Sequence, residues 1–190
     1  MKYIGENVMN TTWTEQQLLQ YVSTIKPPNK DAFKAAQQHS DQLTKPPGSL
    51  GKLEHTAAQL AAMTGELWPD LSKRTVIIMA GDHGVCDEGI SAFPQSVTPQ
   101  MVHNFLQGGA AVNVLARGAG ADVVCVDIGV AAELKHEQLV SRKVMYGTHN
   151  MAKGAAMTRA EAIQGIAVGI ELVEELYNNG SRMFATGEMG

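Results

Sequence analysis

The apolar positions of the first third recur at helical spacing. Leu18, Leu19, Val22 and Ile25 share one face of a helix predicted from Glu15 to Ile25, and Lys26-Pro27-Pro28 stops it. Asn29 or Asp31 caps a second helix that runs to about Thr44. Prolines and glycines punctuate Lys45-Pro46-Pro47-Gly48-Ser49-Leu50-Gly51, so no helix continues through it. Leu53, Ala57, Leu60 and Ala61 then mark a third helix from Lys52 to Met63, closed by Gly65 and Pro69.

From Lys73 the rhythm changes to short β-branched runs. Thr75 to Met79 reads as a buried strand that opens into Gly81-Asp82-His83-Gly84. A helix is expected from near Thr98-Pro99, with Thr98 as cap and Pro99 in the first turn. Gly108-Gly109 kinks it, and Ala110 to Arg117 resumes. Gly118-Ala119-Gly120 ends that helix before a second strand, Asp122 to Asp127. Lys143 to Tyr146 reads as a weaker strand. Thr158-Arg159-Ala160-Glu161 is a capping-box pattern opening a long helix. Its inner face is expected to carry Ala162, Ile163, Ile166, Ile170, Val173 and Tyr177. Arg182 to Thr186 forms the last strand, delivering Glu188 into the glycine-rich turn Gly187-Glu188-Met189-Gly190. Strands alternating with helices imply an α/β fold with a parallel sheet and right-handed crossovers. The expected division is a helical region over residues 1–70 and an α/β domain over 71–190.

Composition narrows the classes. An apolar share of 44% and a charged share of 18% are those of a soluble globular protein. The net charge of -4, with no basic stripe, argues against a nucleic-acid partner. Two distant cysteines, Cys86 and Cys125, suit a reducing compartment. No apolar run is long enough to cross a bilayer, and residues 1–17 lack the apolar stretch of a secretory signal, so a cytoplasmic protein is expected. Met1 and Met9 are both candidate starts.

Chemistry concentrates after two strands. Asp82 and His83 leave the first strand on the side where α/β sheets hold ligands. Asp82 reads equally as a substrate-site wall or as a carboxylate that bonds turn amides. Glu188, between Gly187 and Gly190, is the carboxylate best placed for catalysis; its plainer reading is a helix N-terminal charge for the residues that follow. Phe93, Pro94, Val97 and Met101 could clasp a flat aromatic molecule, although ordinary core packing explains them as well. Asp82, His83, Asp87 and Glu88 match no closed zinc spacing, and a solvated acidic loop is the simpler account. No complete dinucleotide or Walker fingerprint is present.

Several ordered motifs resemble one family. Lys45-Pro46-Pro47-Gly48-Ser49-Leu50-Gly51-Lys52-Leu53-Glu54 is similar to the first motif of the nicotinate-nucleotide:dimethylbenzimidazole phosphoribosyltransferases. Ala80 to Val85 with Glu88 to Ala92, Gly108 to Ala116, Val126 to Val130, Thr148 to Thr158 and Gly187 to Gly190 follow in the family's order. The resemblance runs from about Asp31 to Gly190. It implies a Rossmann-like parallel sheet with a small helical subdomain, a homodimer, and no metal or organic cofactor. It further implies transfer of phosphoribose from nicotinate mononucleotide to 5,6-dimethylbenzimidazole, giving α-ribazole phosphate and nicotinate in assembly of the cobalamin nucleotide loop.

By the same resemblance Glu188 occupies the family's Gly-Glu-x-Gly glutamate. Asp82, His83, Phe93, Pro94, Met101, Gly187 and Gly190 fall on substrate-binding positions, with residues around Phe93 to Met101 forming the base wall. Some relatives carry small or polar side chains in place of Phe93 and Met101, which bears on base preference, and Ala155 stands where proline is common. Family members continue well past this length and keep their principal catalytic base and phosphate grip there. The chain is therefore expected to be the N-terminal half of such an enzyme, with an incomplete sheet and little activity alone. The rival readings are a metal-dependent hydrolase built on Asp82, His83, Asp87 and Glu88, and a non-catalytic aromatic-base-binding module.

Overall fold

A computed structural model of the protein describes residues 12–190. The candidate starts Met1 and Met9, and most of the segment read for a signal, lie outside the described residues. The chain divides into two units: residues 12–20 with Ser72–Gly190, and Tyr21–Leu71.

In the smaller unit, Asn29 caps α2 (Lys30–Gln42), its side chain accepting from the amides of Asp31 and Ala32. Gly65 in the left-handed region ends α3 (Lys52–Thr64). The two helices meet through small residues, Ala36, Ala58 and Ala61, with Phe33 beside them. Lys45 spans the Pro-Gly segment to Glu54 at 2.7 Å, and that carboxylate also accepts from the Leu50 amide. These bonds, led by the one from Lys45, hold the Glu54 carboxyl below the ordinary carboxylate range.

α1 (Glu15–Ser23) begins in the larger unit. There Trp13 donates its indole N–H to Glu171, and Glu15 pairs with Arg159. The larger unit carries four parallel strands in the order β3-β2-β1-β4. β1 is Arg74–Gly81, β2 Ala121–Gly129, β3 Val140–Ser141 and β4 Met183–Met189. α4 (Val97–Leu106) and α5 (Ala111–Gly118) connect β1 to β2, and α6 (Arg159–Asn178) connects β3 to β4. Side chains alternate across a strand, so adjacent β1 residues serve opposite faces. Ile78 and Ala80 join Val102, Phe105 and Cys125 on one face. Ile77 joins Val124, Val126, Leu172 and Leu176 on the other. The α/β parallel architecture expected from the alternating pattern is the one observed.

Four local expectations are corrected. The third strand is Val140–Ser141 rather than Lys143 to Tyr146. The later residues still donate to β2, from Arg142 to Asp127 O and from Val144 to Ile128 O, but the chain leaves the ladder to turn Lys143 inward. α4 starts at Val97 after Ser96, so Thr98 is a buried first-turn residue and not the cap. In α6 the core face runs through Ile163, Ala167, Val168, Leu172 and Leu176, whereas Ile166, Val173 and Tyr177 are exposed. The helix is apolar around more than one stripe, so spacing alone did not choose between them. Finally, β4 extends to Met189, placing Glu188 inside the strand opposite Met79 rather than in a turn beyond it.

Candidate active site at the C-terminal edge of the sheet

The order of connections decides where a ligand can enter. From β1 the chain moves to β2 and β3 on one side; α6 then carries it back to β4 on the other side of β1. The direction of winding reverses between β1 and β4. In open parallel sheets the crevice beyond the strand ends at such a reversal is the preferred ligand position. Asp82 and His83 emerge there from β1, and Glu188 and Gly190 stand at the end of β4.

A bulge between Ala80 and Gly81 shifts β1 against β2, so that Gly81 faces Gly129. Asp82 follows, 3% exposed. Its amide donates to Gly129 O at 3.0 Å, and its carbonyl accepts from Thr148 N at 2.9 Å. Its Oδ2 accepts from the Ala131 amide at 2.7 Å, while Oδ1 is buried without a hydrogen-bond partner among the described residues. The carboxylate therefore does grip a turn amide, though in the loop after β2 and not in its own turn.

The end of β2 just before that loop carries a second buried carboxylate, which sequence reasoning passed over as a site residue. Asp127, 1% exposed, accepts from the Val130 amide at 2.9 Å and pairs with Lys143 Nζ at 2.9 Å. Lys143 also donates to the carbonyls of Val130 and Ala132, and lies 4.4 Å from the Tyr146 ring centroid. The Tyr146 hydroxyl donates to Glu133, which raises the phenol above its ordinary range. The available signal was that Asp127, like Asp82, is a carboxylate at the end of a buried strand, close to a glycine. Nearby Cys125 is buried, and its thiol is pushed up to about 12 by desolvation first and the Asp127 charge second.

The structure brings His83 to the end of β4. A methyl group on Gly190 would fall 2.7 Å from His83 Nε2 and press still closer on Gly81 O, so only glycine fits this approach. His83 is exposed and bridges Thr148 in parallel register, and Gln95 donates to its carbonyl at 2.8 Å. Glu188 is exposed, and Gly187 sits opposite Ile78. Phe93 and Pro94 project from the loop before α4, Phe93 being 70% exposed. Met101 is not with them: it packs on the core cluster of Ile78, Val102 and Val130.

Asp82, His83, Asp87 and Glu88 do not converge on a point. Asp82 turns to Ala131, whereas Glu88 accepts from Asn150 at 2.6 Å and pairs with Lys153 at 3.4 Å. Among the described residues no group of three His, Cys, Asp or Glu side chains could hold a metal ion. A cavity of about 430 Å³ lies against the first half of β2, lined in part by Phe105, Val123, Cys125 and Leu139. Two of its polar members are already engaged, Arg117 donating to the Gly108 carbonyl and Asn113 to that of Phe105. No helix among the described residues is long and apolar enough to cross a membrane.

Comparison with known proteins agrees with this placement of the strands. A family model described as phosphoribosyltransferase matches residues 25–190. A nicotinate-nucleotide–dimethylbenzimidazole phosphoribosyltransferase of Chloroflexus aggregans is 53% identical over 174 residues, 91% of this chain and 49% of that protein. One of Geobacter sulfurreducens is 51% identical over 174 residues, again 91% and 49%. The crystal structure of such an enzyme from Thermus thermophilus superposes with a TM-score of 0.81 at 46% identity, covering 85% of this chain and 49% of the other. The chain spans about half the length of the curated relatives it matches.

Proposed function

The chain belongs to the phosphoribosyltransferase family, and from that premise we propose that the whole protein moves phosphoribose from nicotinate mononucleotide to 5,6-dimethylbenzimidazole, releasing nicotinate. The observation that carries the reading is the meeting of β1 and β4 at the reversal of winding, with Asp82 and His83 on one strand end and Glu188 and Gly190 on the other.

The reaction asks little beyond placement, charge and a proton acceptor. A ring nitrogen of the base bonds the anomeric carbon as the bond to nicotinate breaks, the electron pair leaving with nicotinate. The transition state carries oxocarbenium-like positive charge on the ribose, as in glycoside chemistry, and carboxylates oppose that charge. The displaced N–H proton needs a base. Glu188, exposed at the strand end, is assigned to the reacting side. Asp82, buried and already holding Ala131, is assigned to binding. Phe93 and Pro94 are assigned to the base, and His83 with Gly187 and Gly190 to the close backbone approach. Met101, packed from α4 onto the core, is assigned to the base wall only indirectly, by holding α4 behind Phe93 and Pro94. The same reading takes residues 1–70 as a helical region and 71–190 as part of the α/β domain, in a cytoplasmic homodimer whose mass sedimentation would test.

The test is chromatographic. The protein at its encoded length, incubated with nicotinate mononucleotide and dimethylbenzimidazole, is expected to yield α-ribazole phosphate and nicotinate in equal amounts. Glu188→Gln is expected to lower kcat about 100-fold with the fold intact. No product from the unsubstituted protein, beside an active relative as control, refutes the function.

A further inference from the structure

The turn after β2 is held by an unusual amount of buried charge. Its amides at Val130 and Ala131 donate to Asp127 Oδ1 and Asp82 Oδ2, at 2.9 and 2.7 Å. Its carbonyls at Val130 and Ala132 accept from Lys143 Nζ, the latter at 3.0 Å. The remaining contact of that nitrogen is to Asp127 Oδ2 at 2.9 Å. An ammonium group has three protons, and here each has an acceptor. The Tyr146 ring covers it, and the Lys143 side chain is only 14% exposed. A buried ion pair is a poor source of net stability, because desolvation offsets the attraction. What it supplies here is geometry: four backbone polar atoms of one turn are fixed by three side chains from three segments.

The Asp82 carboxylate depends on that turn. Among the described residues Ala131 N is the one hydrogen-bond donor to it, and Oδ1 remains buried and unbonded. A buried acceptor left unmatched costs stability, and a native site keeps one where it has a use for it. We propose that Lys143 is a positioning residue for the transfer: it fixes the Val130–Ala132 turn, and the turn fixes Asp82 so that Oδ1 accepts a hydroxyl of the nucleotide ribose. The proposal rests on the reading above that Asp82 meets the nucleotide.

Lys143→Met, Lys143→Arg and the double substitution Asp127→Asn with Lys143→Met test it in the protein at its encoded length. Lys143→Met strands Asp127 and so risks misfolding; the double variant removes both charges and keeps the test available. In either folded variant the Ala131 amide is expected to exchange about tenfold faster. KM for nicotinate mononucleotide is expected to rise about tenfold, with KM for dimethylbenzimidazole unchanged. Lys143→Arg, which keeps the charge and several donors, is expected to restore both values. A purely structural role would lower the active fraction and leave both KM values alone. Unchanged Ala131 exchange or an unchanged nucleotide KM in a folded variant overturns the proposal. If the unsubstituted protein has no transferase activity, the function falls separately, and Ala131 exchange still judges the clamp.

Discussion

Single residues at the strand ends are constrained by contacts that have no slack. A methyl on Gly84 would lie 2.6 Å from Thr148 O, His149 C and Asn150 N, all backbone. Gly84→Ala is therefore expected to destabilise the protein by about 1–3 kcal/mol, read as a lower urea midpoint. Cys125 makes a different prediction. With its thiol held up to about 12, it stays protonated where an ordinary cysteine ionises. At pH 9 a disulfide reagent should label half-buried Cys86 quickly and Cys125 only on unfolding. The sign for stability follows. Between the unfolded value near 9.0 and the folded value near 12, the unfolded chain has lost the Cys125 proton and the folded chain has not. Stability should thus decline as pH rises through that window, and Cys125→Ala should flatten the decline. Equal labelling of both thiols in the native protein would contradict the burial on which this rests.

Among the elements, α6 opens on a reciprocal side-chain cap. Thr158 accepts from Glu161 N, and Glu161 returns to Thr158 N and Oγ1. The backbone bond from Thr158, then its hydroxyl, holds the Glu161 carboxyl below its usual value. That contribution is complete above the unfolded value of 4.5 and is lost as pH falls through the folded one. Thr158→Ala should cost about 1 kcal/mol at neutral pH, and the variant's melting temperature should depend less on acid than the parent's. This cap was legible in the sequence because all its partners lie within four residues. The strand ends at Asp82 were legible for a similar reason, as a β-branched run meeting glycine. The α6 core face was not, since Ile166 and Val173 are as apolar as Ala167 and Leu172, and only the sheet decides which are covered. Lys143 was missed because its partners Asp127, Val130 and Ala132 are distant along the chain and identify it only once the turn is folded. Glu188 was read at the right end of the right strand, but Gly187 allowed the ladder to continue past the place where glycine suggested a turn.

At the scale of the whole molecule the two units differ in how they are held. The smaller has a core of alanines, while the larger buries Ile77, Ile78, Val126 and Leu172. Less apolar area removed from water means less stabilisation per residue. Each unit holds one tryptophan, Trp13 in the larger and Trp68 in the smaller. Fluorescence of Trp13→Phe should therefore show an earlier denaturant midpoint than that of Trp68→Phe, and coincident midpoints would mean that the units unfold as one. The reversal of winding also has a consequence in time. β1 and its partner β4 lie far apart along the chain, so the pairing of Arg74 with Met183 must close a very long loop. Non-local parallel pairing is intrinsically slow. During refolding, helical circular dichroism should return well before the β4 amides gain protection from exchange, because the crevice has only one wall until β4 docks on β1.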